Sequence, residues 1–300
     1  MVQYNSWLRN ISDTESISRI SIPGTHNSAA HHTALPSVQC QDASITEQLQ
    51  NGVRFLDIRV SKPLIDSKKA ENNDLVVIHG KFPLKLIGNV KLDKVLKDVY
   101  EFLGKNSSEF VIISLKQEGS GKWNHEHDEF GDAIWNHYIN NNRDMWYLNN
   151  EIPNLRDVRG KAILFRRFGI KDESRKRDFG IEASWWKYNC ENDDRGTINV
   201  QDWCELSSGE DIERKANFIK DHVYRAKEYN SNNGEPKLFI NFCSASNFFD
   251  PNCWPAKIAE GLTKANIEQS FGKGSGVVIL DYAEQENWYL VRNLVDRNFQ

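Results

Sequence analysis

The chain has 300 residues, 39% of them apolar and 27% charged, and it carries a formal net charge of −4 at pH 7. This is the composition of a globular protein with a sizeable core, and the lack of a broad basic field argues against nucleic acid as a partner. No apolar run approaches the roughly 18 residues that a membrane span requires. The amino terminus has neither the basic start nor the apolar segment of a signal peptide, so we expect a cytoplasmic or peripheral membrane protein rather than a secreted one.

Eight short segments rich in apolar and β-branched residues predict strands. Between most of them, amphipathic segments predict helices, the first of which opens at a capping box formed by Ser44 and Glu47. Two connections, residues 61–74 and 170–197, are polar and lack a helical period. The predicted strands cover residues 17–22, 53–60, 75–79, 110–115, 162–167, 198–202, 238–242 and 277–281.

The alternation of strands and helices predicts an α/β fold with a parallel sheet, and eight strands favour a closed barrel. Because two of the connecting helices are missing, we predict an irregular TIM-type barrel that forms a single domain over residues 1–300. An open doubly wound sheet is the alternative fold, but the chain has no Gly-x-Gly-x-x-Gly or Walker motif to support it.

The cysteines are five in number and scattered along the chain, and no Cys-x-x-Cys occurs. This pattern argues against a zinc site and against a dense disulfide framework. Cys243 and Cys253 flank a loop after the seventh predicted strand, where a disulfide and two free thiols are equally compatible with the sequence.

Seven of the eight predicted strands finish on a titratable or hydrogen-bonding residue. A Pro-Gly turn after the first strand presents His26, and the alternation of Asp57 and Arg59 in the second points both to one face. In a parallel barrel the carboxyl ends of the strands meet at one rim, so we expect these residues to form one site. The other strand ends carry His79, Lys116, Arg167, Asp202 and Asp281.

Two histidines and an arginine at one rim suit in-line attack at phosphorus. One imidazole removes a proton from the attacking hydroxyl, and the other donates a proton to the departing oxygen. Arg59 would neutralise charge on the phosphoryl oxygens, and Asp281 would fix the tautomer of His26. The remaining polar side chains would form a lining suited to a polyol: Lys116, Arg167 and Asp202.

Five blocks of the sequence, taken together, resemble the bacterial-type phosphatidylinositol-specific phospholipases C. The blocks are SIPGTH at 21–26, GVRFLDIR at 52–59, IHG at 78–80, ISLK at 113–116 and VILDY at 278–282. The resemblance implies an irregular barrel that cleaves phosphatidylinositol, or a related inositol phospholipid, into diacylglycerol and a cyclic inositol phosphate. We predict a monomer without a cofactor that contacts the membrane surface peripherally.

The resemblance also assigns roles to individual residues. It makes His26 the general base, His79 the general acid, Arg59 the group that stabilises the transition state, and Asp281 the group that orients His26. The inositol hydroxyls would be held by Lys116, Arg167 and Asp202.

The same resemblance bears on metal. Calcium-dependent relatives place Asn directly after the first histidine, as Asn27 stands here, and carboxylates at the ends of the second and fourth strands. Here Arg59 and Lys116 occupy those two carboxylate positions, and cations there would repel Ca²⁺. We therefore predict an enzyme without metal, in which Arg59 replaces the ion and Asn27 belongs to the catalytic group.

Two positions depart from the metal-independent enzymes. Those enzymes usually carry an aspartate at the position of Asn27, where it pairs with the arginine. They also stack an aromatic residue on the inositol ring at the position of Cys204, so Trp203 is the substitute candidate for substrate binding. These departures motivate an alternative function, a catalytically impaired barrel that binds phosphoinositide or inositol phosphate. A metal-dependent glycerophosphodiesterase-like enzyme is a third, less favoured hypothesis.

The best candidate for membrane contact is the loop of residues 246–254, which contains Phe248, Phe249 and Trp254. Exposed aromatic side chains at the rim of a lipid-cleaving barrel would insert at the interface. Packing of the same side chains on the adjacent helix is an equally good interpretation. The pair Trp185 and Trp186 allows the same two readings.

Overall fold

The computed structural model describes residues 2–31, 35–63, 74–84, 89–119, 122–232 and 234–300. Most of the predicted irregular connection 61–74 lies outside these residues. The strands are β1 Ile22–Thr25, β2 Phe55–Ser61, β3 Val76–His79, β4 Phe82–Pro83, β5 Val90–Lys91, β6 Val111–Gln117, β7 Trp146–Tyr147, β8 Ala162–Arg167, β9 Ile181–Glu182, β10 Cys190–Asp194, β11 Ile198–Asp202, β12 Leu238–Phe242 and β13 Val277–Leu280.

The helices lie between these strands and cover the outer face of the sheet. Ser44 caps the first of them and forms the predicted capping box with Glu47. No helix in the described part of the chain is both long enough and apolar enough to cross a membrane. The α-helices are α1 Ile45–Gln50, α2 Leu92–Lys105, α3 Glu129–Ile134, α4 Leu155–Val158, α5 Asp211–Ser231, α6 Pro255–Lys264 and α7 Gln285–Asp296.

Seven strands run parallel in the order β11-β12-β13-β1-β2-β6-β8. The strand β10 extends this sheet antiparallel to β11, and β7 and β9 both pair with β8. No pairing joins the β8 end to the β10 end among the described residues, so the barrel is open on that side. The predicted α/β fold, an irregular barrel, is confirmed.

The two faces of the sheet are both apolar, as expected for parallel strands covered by helices. The inner face contributes alternate residues such as Phe55, Ile112, Phe165, Val200 and Ile240 to one buried cluster. The outer face contributes the intervening residues to a second cluster that packs against the helices. A side chain that follows the inner alternation beyond the end of a strand therefore lies in the mouth of the barrel.

The first strand lies further along the chain than the sequence pattern predicts. Ile17–Arg19 is a turn of 3₁₀-helix, and the strand contains the Pro-Gly pair that we expected to follow it. Pro23 is tolerated because pairing with β2 begins only at Gly24. A Cβ atom on Gly24 would lie 3.0 Å from Cβ of Phe55, so glycine permits this close approach.

The third predicted strand is not a barrel strand. β3 runs antiparallel to β2, with Val60 opposite Val77, and branches from the carboxyl end of β2. The alternation of apolar residues is the same in parallel and antiparallel strands, so it could not reveal this direction. The consequence for the site is that His79 reaches the barrel mouth from the side.

Candidate active site

The carboxyl ends of the barrel strands enclose an open cavity of about 970 Å³. Most of the side chains predicted to form the site line it, and Asn27, Asp57 and Asp281 lie buried beside it. The predicted residues in the lining are His26, Arg59, His79, Lys116, Arg167, Asp202 and Trp203.

His26 and Asp281 form a dyad at the adjoining ends of β1 and β13. Nδ1 of His26 lies 2.8 Å from Oδ1 of Asp281. Because a carboxylate only accepts, the ring donates its Nδ1–H and leaves Nε2 as an acceptor. Gln41 fixes the two strand ends, since its Nε2 donates to the carbonyl oxygens of His26 and Leu280, each over 2.9 Å. Sequence reasoning missed Gln41, which lies in a connection without a periodic pattern.

Asn27 joins this dyad to the arginine. Its side-chain Nδ2 donates to Nε2 of His26 over 3.0 Å, and its backbone N–H donates to Oδ2 of Asp57 over 3.2 Å. Its backbone has φ of +41°, a left-handed conformation that asparagine tolerates better than most residues. The same Asp57 oxygen accepts a hydrogen bond from Nε of Arg59 at 3.0 Å.

Asp57 is thus the carboxylate that holds Arg59. Its other oxygen accepts from Nη1 of Arg167 at 3.3 Å. Burial opposes the ionisation of Asp57, but the guanidinium groups of Arg59 and Arg167 outweigh it and hold its pKa well below the usual range. The sequence predicts that Asp57 and Arg59 lie on one face of the strand. It does not reveal that Asp57 is the carboxylate partner of Arg59, a role that the neutral side chain of Asn27 cannot fill.

Glu118 forms a second anchor for the cations. Its Oε2 lies 3.3 Å from Nη1 of Arg59 and 2.7 Å from Nζ of Lys116, and its Oε1 accepts from the Gly80 N–H at 2.6 Å. Burial opposes its ionisation, but Arg59 and Lys116 lower the pKa of Glu118 to about 2. Among the described residues, the two carboxylates nearest to Arg59 are therefore neutralised by basic side chains rather than left to bind a cation.

His79 faces His26 across the cavity, with 5.8 Å between the ring centroids and an interplanar angle of 87°. Its Nδ1 donates to the carbonyl oxygen of Val38 over 2.7 Å, so Nε2 is the nitrogen left for proton transfer. Burial and the neighbouring His26 and Arg59 lower the pKa of His79 to about 4. The ring is thus neutral at pH 7 before an anion enters the cavity.

Trp186 connects two of the predicted head-group residues. Its ring lies 4.1 Å from Cζ of Arg167, and its Nε1–H donates to Oδ2 of Asp202 over 3.0 Å. Sequence reasoning offered Trp186 only as membrane contact or packing, because it lies in the irregular connection 170–197. The sequence feature that could have drawn attention to Trp186 is the unusual pair of adjacent tryptophans, Trp185 and Trp186.

Two aromatic side chains, Trp203 and Tyr188, lie near Cys204. Trp203 lines the cavity, but its ring packs on Phe218 of α5 with centroids 5.2 Å apart. Tyr188, from the connection 170–197, also lines the cavity, and its hydroxyl donates to Glu205. Its side chain is 70% exposed, so it offers an aromatic face beside Cys204.

Aromatic side chains also surround the entrance to the cavity. Phe82 stacks on Phe248 with centroids 5.9 Å apart, and Phe248 contacts Phe249 edge to face. Phe249 is 92% exposed, so it does not pack on the adjacent helix α6. Trp185 is 61% exposed. The two cysteines that flank this region, Cys243 and Cys253, are free thiols, so the disulfide does not form.

Comparisons with known proteins agree with this geometry. The family model for the phosphatidylinositol-specific phospholipase C X domain matches residues 14–168. A 1-phosphatidylinositol phosphodiesterase of Listeria monocytogenes is 26% identical over 99% of this chain and 86% of its own length. A 1-phosphatidylinositol phosphodiesterase of Staphylococcus aureus is 24% identical over 93% of this chain and 88% of its own length.

Solved structures give the same result for the fold. The phosphatidylinositol-specific phospholipase C of Listeria monocytogenes superposes with a TM-score of 0.74 and 25% identity over 99% of both chains. The Staphylococcus aureus enzyme superposes with a TM-score of 0.79 and 23% identity over 99% of this chain and 98% of its own.

Proposed function

Because the chain belongs to the phosphatidylinositol-specific phospholipase C X-domain family, we propose that it is a phosphodiesterase that cleaves phosphatidylinositol to diacylglycerol and a cyclic inositol phosphate. The observation that carries this proposal is the His26–Asp281 dyad, which faces His79 across a cavity lined by Arg59. Such an arrangement can accept a proton on one side of a phosphate and donate one on the other.

The first step is attack by the inositol 2-hydroxyl on phosphorus. Nε2 of His26 accepts the hydroxyl proton, which requires the Asn27 amide to give up its hydrogen bond to that nitrogen. Asp281 stabilises the imidazolium through Nδ1–H, as in other acid–base dyads. A new bond forms between the inositol oxygen and phosphorus, and the bond from phosphorus to the diacylglycerol oxygen breaks.

His79 completes the step by donating the proton on Nε2 to the departing diacylglycerol oxygen. In a second step water opens the cyclic inositol phosphate, with His79 accepting a proton from water and His26 returning its proton to the inositol oxygen. The pKa of His79, about 4 in the empty site, disfavours the protonated form. An entering phosphodiester anion favours that form, so substrate binding loads the acid. Arg59, fixed by Asp57 and Glu118, offers its remaining N–H groups to the phosphoryl oxygens.

The polyol would bind on the other side of the cavity. Lys116 and Arg167 offer donors to the inositol hydroxyls, and Asp202 offers an acceptor. Trp186 fixes the relative position of Arg167 and Asp202. A glycosylated phosphatidylinositol shares the same phosphodiester bond, so the proposal covers this class of lipids.

We propose that the reaction needs no metal. Arg59 and Lys116 stand where a calcium site would need carboxylates, and Asp57 and Glu118 are already engaged by these and other basic side chains. Ca²⁺ requires six to eight oxygen ligands, which this charge arrangement opposes. Arg59 provides the positive charge that the ion would otherwise supply.

The remaining proposals concern assembly and membrane contact. Strands from both ends of the chain pair directly, β1 with β13, which supports one domain over residues 1–300. The exposed aromatic residues at the entrance support peripheral contact with the membrane surface. We also propose that the protein is a monomer. One Staphylococcus aureus structure concerns the modulation of that enzyme's membrane binding, and it superposes with a TM-score of 0.78 and 23% identity over 99% of this chain and 98% of its own.

The test is incubation with phosphatidylinositol vesicles, with and without EDTA, followed by detection of cyclic inositol phosphate. We expect product that survives EDTA and falls by about 10²–10⁴-fold in His26→Ala. His127→Ala is the matched control, because His127 is exposed and lies outside the cavity lining. Binding without product would support the impaired barrel, and loss of product in EDTA would contradict the metal-independent reaction.

A further inference from the structure

Three side chains that differ in ligand type converge beside the proposed general base. One ring nitrogen of His26, the sulfur of Cys40 and a carboxylate oxygen of Asp281 all lie within 4.8 Å of one another. Nitrogen, thiolate and carboxylate are the ligands that Zn²⁺ takes in proteins. Cys40 has no role in the proposed proton transfers, and its side chain is completely buried.

A second observation points to a cation at the same place. Oδ2 of Asp281 and Oδ1 of Asn27 are buried, and neither has a hydrogen-bond partner in the part of the chain that the structure describes. The two residues are only 7% and 3% exposed. Burying an oxygen atom without a hydrogen-bond donor costs free energy of desolvation, and a bound cation would offset that cost.

We propose that His26, Cys40 and Asp281 form an inhibitory site for a thiophilic divalent cation such as Zn²⁺. Ligand atoms at about 2.0–2.3 Å from a tetrahedral ion lie roughly 3.5 Å apart. Since the three atoms lie within 4.8 Å of one another, the widest pair has to close by at most about 1.3 Å, which a side-chain rotation can supply. A water molecule on the cavity side would complete the coordination.

Binding exchanges a proton for the ion. The Sγ–H bond of Cys40 breaks, its proton passes to the buffer, and the thiolate binds the ion. The neutral His26 ring keeps its one proton on the nitrogen that the ion leaves free. Cys40 Sγ also lies 3.7 Å from Nδ1 of His79, so the ion would sit between the two proposed proton carriers.

The occupied site blocks the reaction because His26 can no longer accept the proton of the attacking hydroxyl. The inhibition of catalysis by the ion rests on the proposed function, whereas the binding of the ion does not. Removal of the ion by a chelator would restore the base, so EDTA should protect or raise activity. That is the opposite of its effect on a calcium-dependent enzyme.

The experiment titrates the purified protein with Cd²⁺, a spectroscopic substitute for Zn²⁺, and follows the ultraviolet charge-transfer band of a cadmium–thiolate bond. This readout does not require activity, so it tests the site even if the proposed function fails. The variants are Cys40→Ser, which removes the thiolate, and Cys190→Ser, which changes a buried thiol outside the cluster. A competition titration gives the Zn²⁺ affinity, and thermal melting of both variants shows that they fold.

We expect one equivalent of Cd²⁺ to produce the band in the native protein and in Cys190→Ser, and no band in Cys40→Ser. Zn²⁺ affinity should fall at least tenfold in Cys40→Ser, since loss of even an outer-shell partner costs about 10–100-fold. Phosphatidylinositol cleavage should be inhibited by Zn²⁺ in the native protein, and this inhibition should weaken by the same factor in Cys40→Ser. An unchanged band or an unchanged Zn²⁺ affinity in Cys40→Ser would overturn the proposal. If Cys40→Ser fails to fold, Cys40→Ala provides the same comparison.

Discussion

The amide of Asn27 covers the nitrogen of His26 that the proposed reaction uses. Nδ2 of Asn27 lies 3.0 Å from Nε2 of His26, while Asp281 binds the opposite nitrogen at 2.8 Å. The ring is thereby held between a donor and an acceptor, which selects the tautomer with its proton on Nδ1. It also means that the attacking hydroxyl must displace Asn27 before it reaches the base.

The substitution Asn27→Asp tests this relationship. A carboxylate at this position accepts a hydrogen bond from protonated His26, whereas the native amide donates to the neutral ring. We expect the variant to stabilise the imidazolium, so the acidic limb of the kcat/KM profile should move to higher pH. The measurement is cleavage of phosphatidylinositol in detergent micelles from pH 4 to 9, because His26 acts as the base in this step.

In the same experiment, Asn27→Ala separates the effect of the new negative charge from the effect of losing the amide's hydrogen bond to His26. Its side chain neither donates nor accepts, so the acidic limb should move less than in Asn27→Asp. Identical profiles for the two variants and the native protein would show that Asn27 does not act on His26. A backbone effect is controlled by melting temperature, since φ is +41° at this residue and alanine tolerates it poorly.

His79 offers a test based on its pKa. In the free protein we expect its ring to titrate near pH 4, because burial and the neighbouring His26 and Arg59 disfavour its charged form. Inorganic phosphate in the cavity favours the charged form, so binding takes up a proton at pH values above about 4. Phosphate affinity should therefore rise as the pH falls from about 7 toward 4.

Two measurements check this coupling. NMR of the ring protons gives the titration of His79 with and without phosphate, and calorimetry in buffers of different ionisation enthalpy gives the protons taken up. A ring that titrates between pH 6 and 7 in the free protein would contradict the expectation. In the protein without phosphate, the low pKa of His79 also lowers the free energy of unfolding as the pH falls from about 6.5 to 4. The reason is that the His79 side chain takes up its proton at a higher pH in the unfolded chain than in the folded protein.

Much of the barrel is encoded locally. The segments 162–167, 198–202 and 238–242 match β8, β11 and β12 residue for residue, because short β-branched runs between turn signals have few alternatives. The rim residues follow from the same alternation, since Arg59, Lys116 and Arg167 continue the inner face of their strands. What could not be predicted depends on contacts between distant segments. Three features depend on such contacts. β3 runs antiparallel to β2, Asp57 forms ion pairs with both Arg59 and Arg167, and the ring of Trp186 lies beside Arg167.

Trp186 yields a third prediction, which concerns head-group binding. Trp186→Phe removes the donor to Asp202 but keeps an aromatic ring beside Arg167. A hydrogen bond to a charged group is worth about 1.5–3 kcal/mol, so we expect KM for cyclic inositol phosphate to rise roughly 10–100-fold, with kcat changed by less than about threefold. Trp186→Ala also loses the cation–π contact, which is worth about 0.5–2 kcal/mol, and should raise KM further.

The matched control for this series is Trp135→Phe. Trp135 also lies near an arginine, with its ring 5.4 Å from Cζ of Arg143, but it does not line the cavity. It should leave KM unchanged. A fall in kcat at constant KM in the Trp186 variants would mean that the residue acts on the chemical step and not on head-group binding.

The aromatic entrance gives the last prediction. Phe249 is almost fully exposed and continues the stack formed by Phe82 and Phe248. Burying such a side chain in lipid contributes about 1.5–3 kcal/mol, so Phe249→Ser should weaken binding to phosphatidylinositol-containing vesicles by roughly 10–100-fold. Vesicle sedimentation measures the binding, and cleavage of vesicle lipid should fall in parallel.

Two controls decide whether the effect is one of membrane contact. Hydrolysis of soluble cyclic inositol phosphate should be unchanged in Phe249→Ser, since Phe249 lies at the rim of the cavity, where its ring contacts Phe248. Phe299→Ser removes another exposed aromatic side chain, next to Asn298, which bonds to Ser21 at the opposite end of the barrel. It should leave vesicle binding unchanged. Equal losses of vesicle binding in Phe249→Ser and Phe299→Ser would show that the effect is not specific to the entrance. An equal loss of hydrolysis of the soluble substrate in Phe249→Ser would show that Phe249 acts in the cavity and not at the membrane.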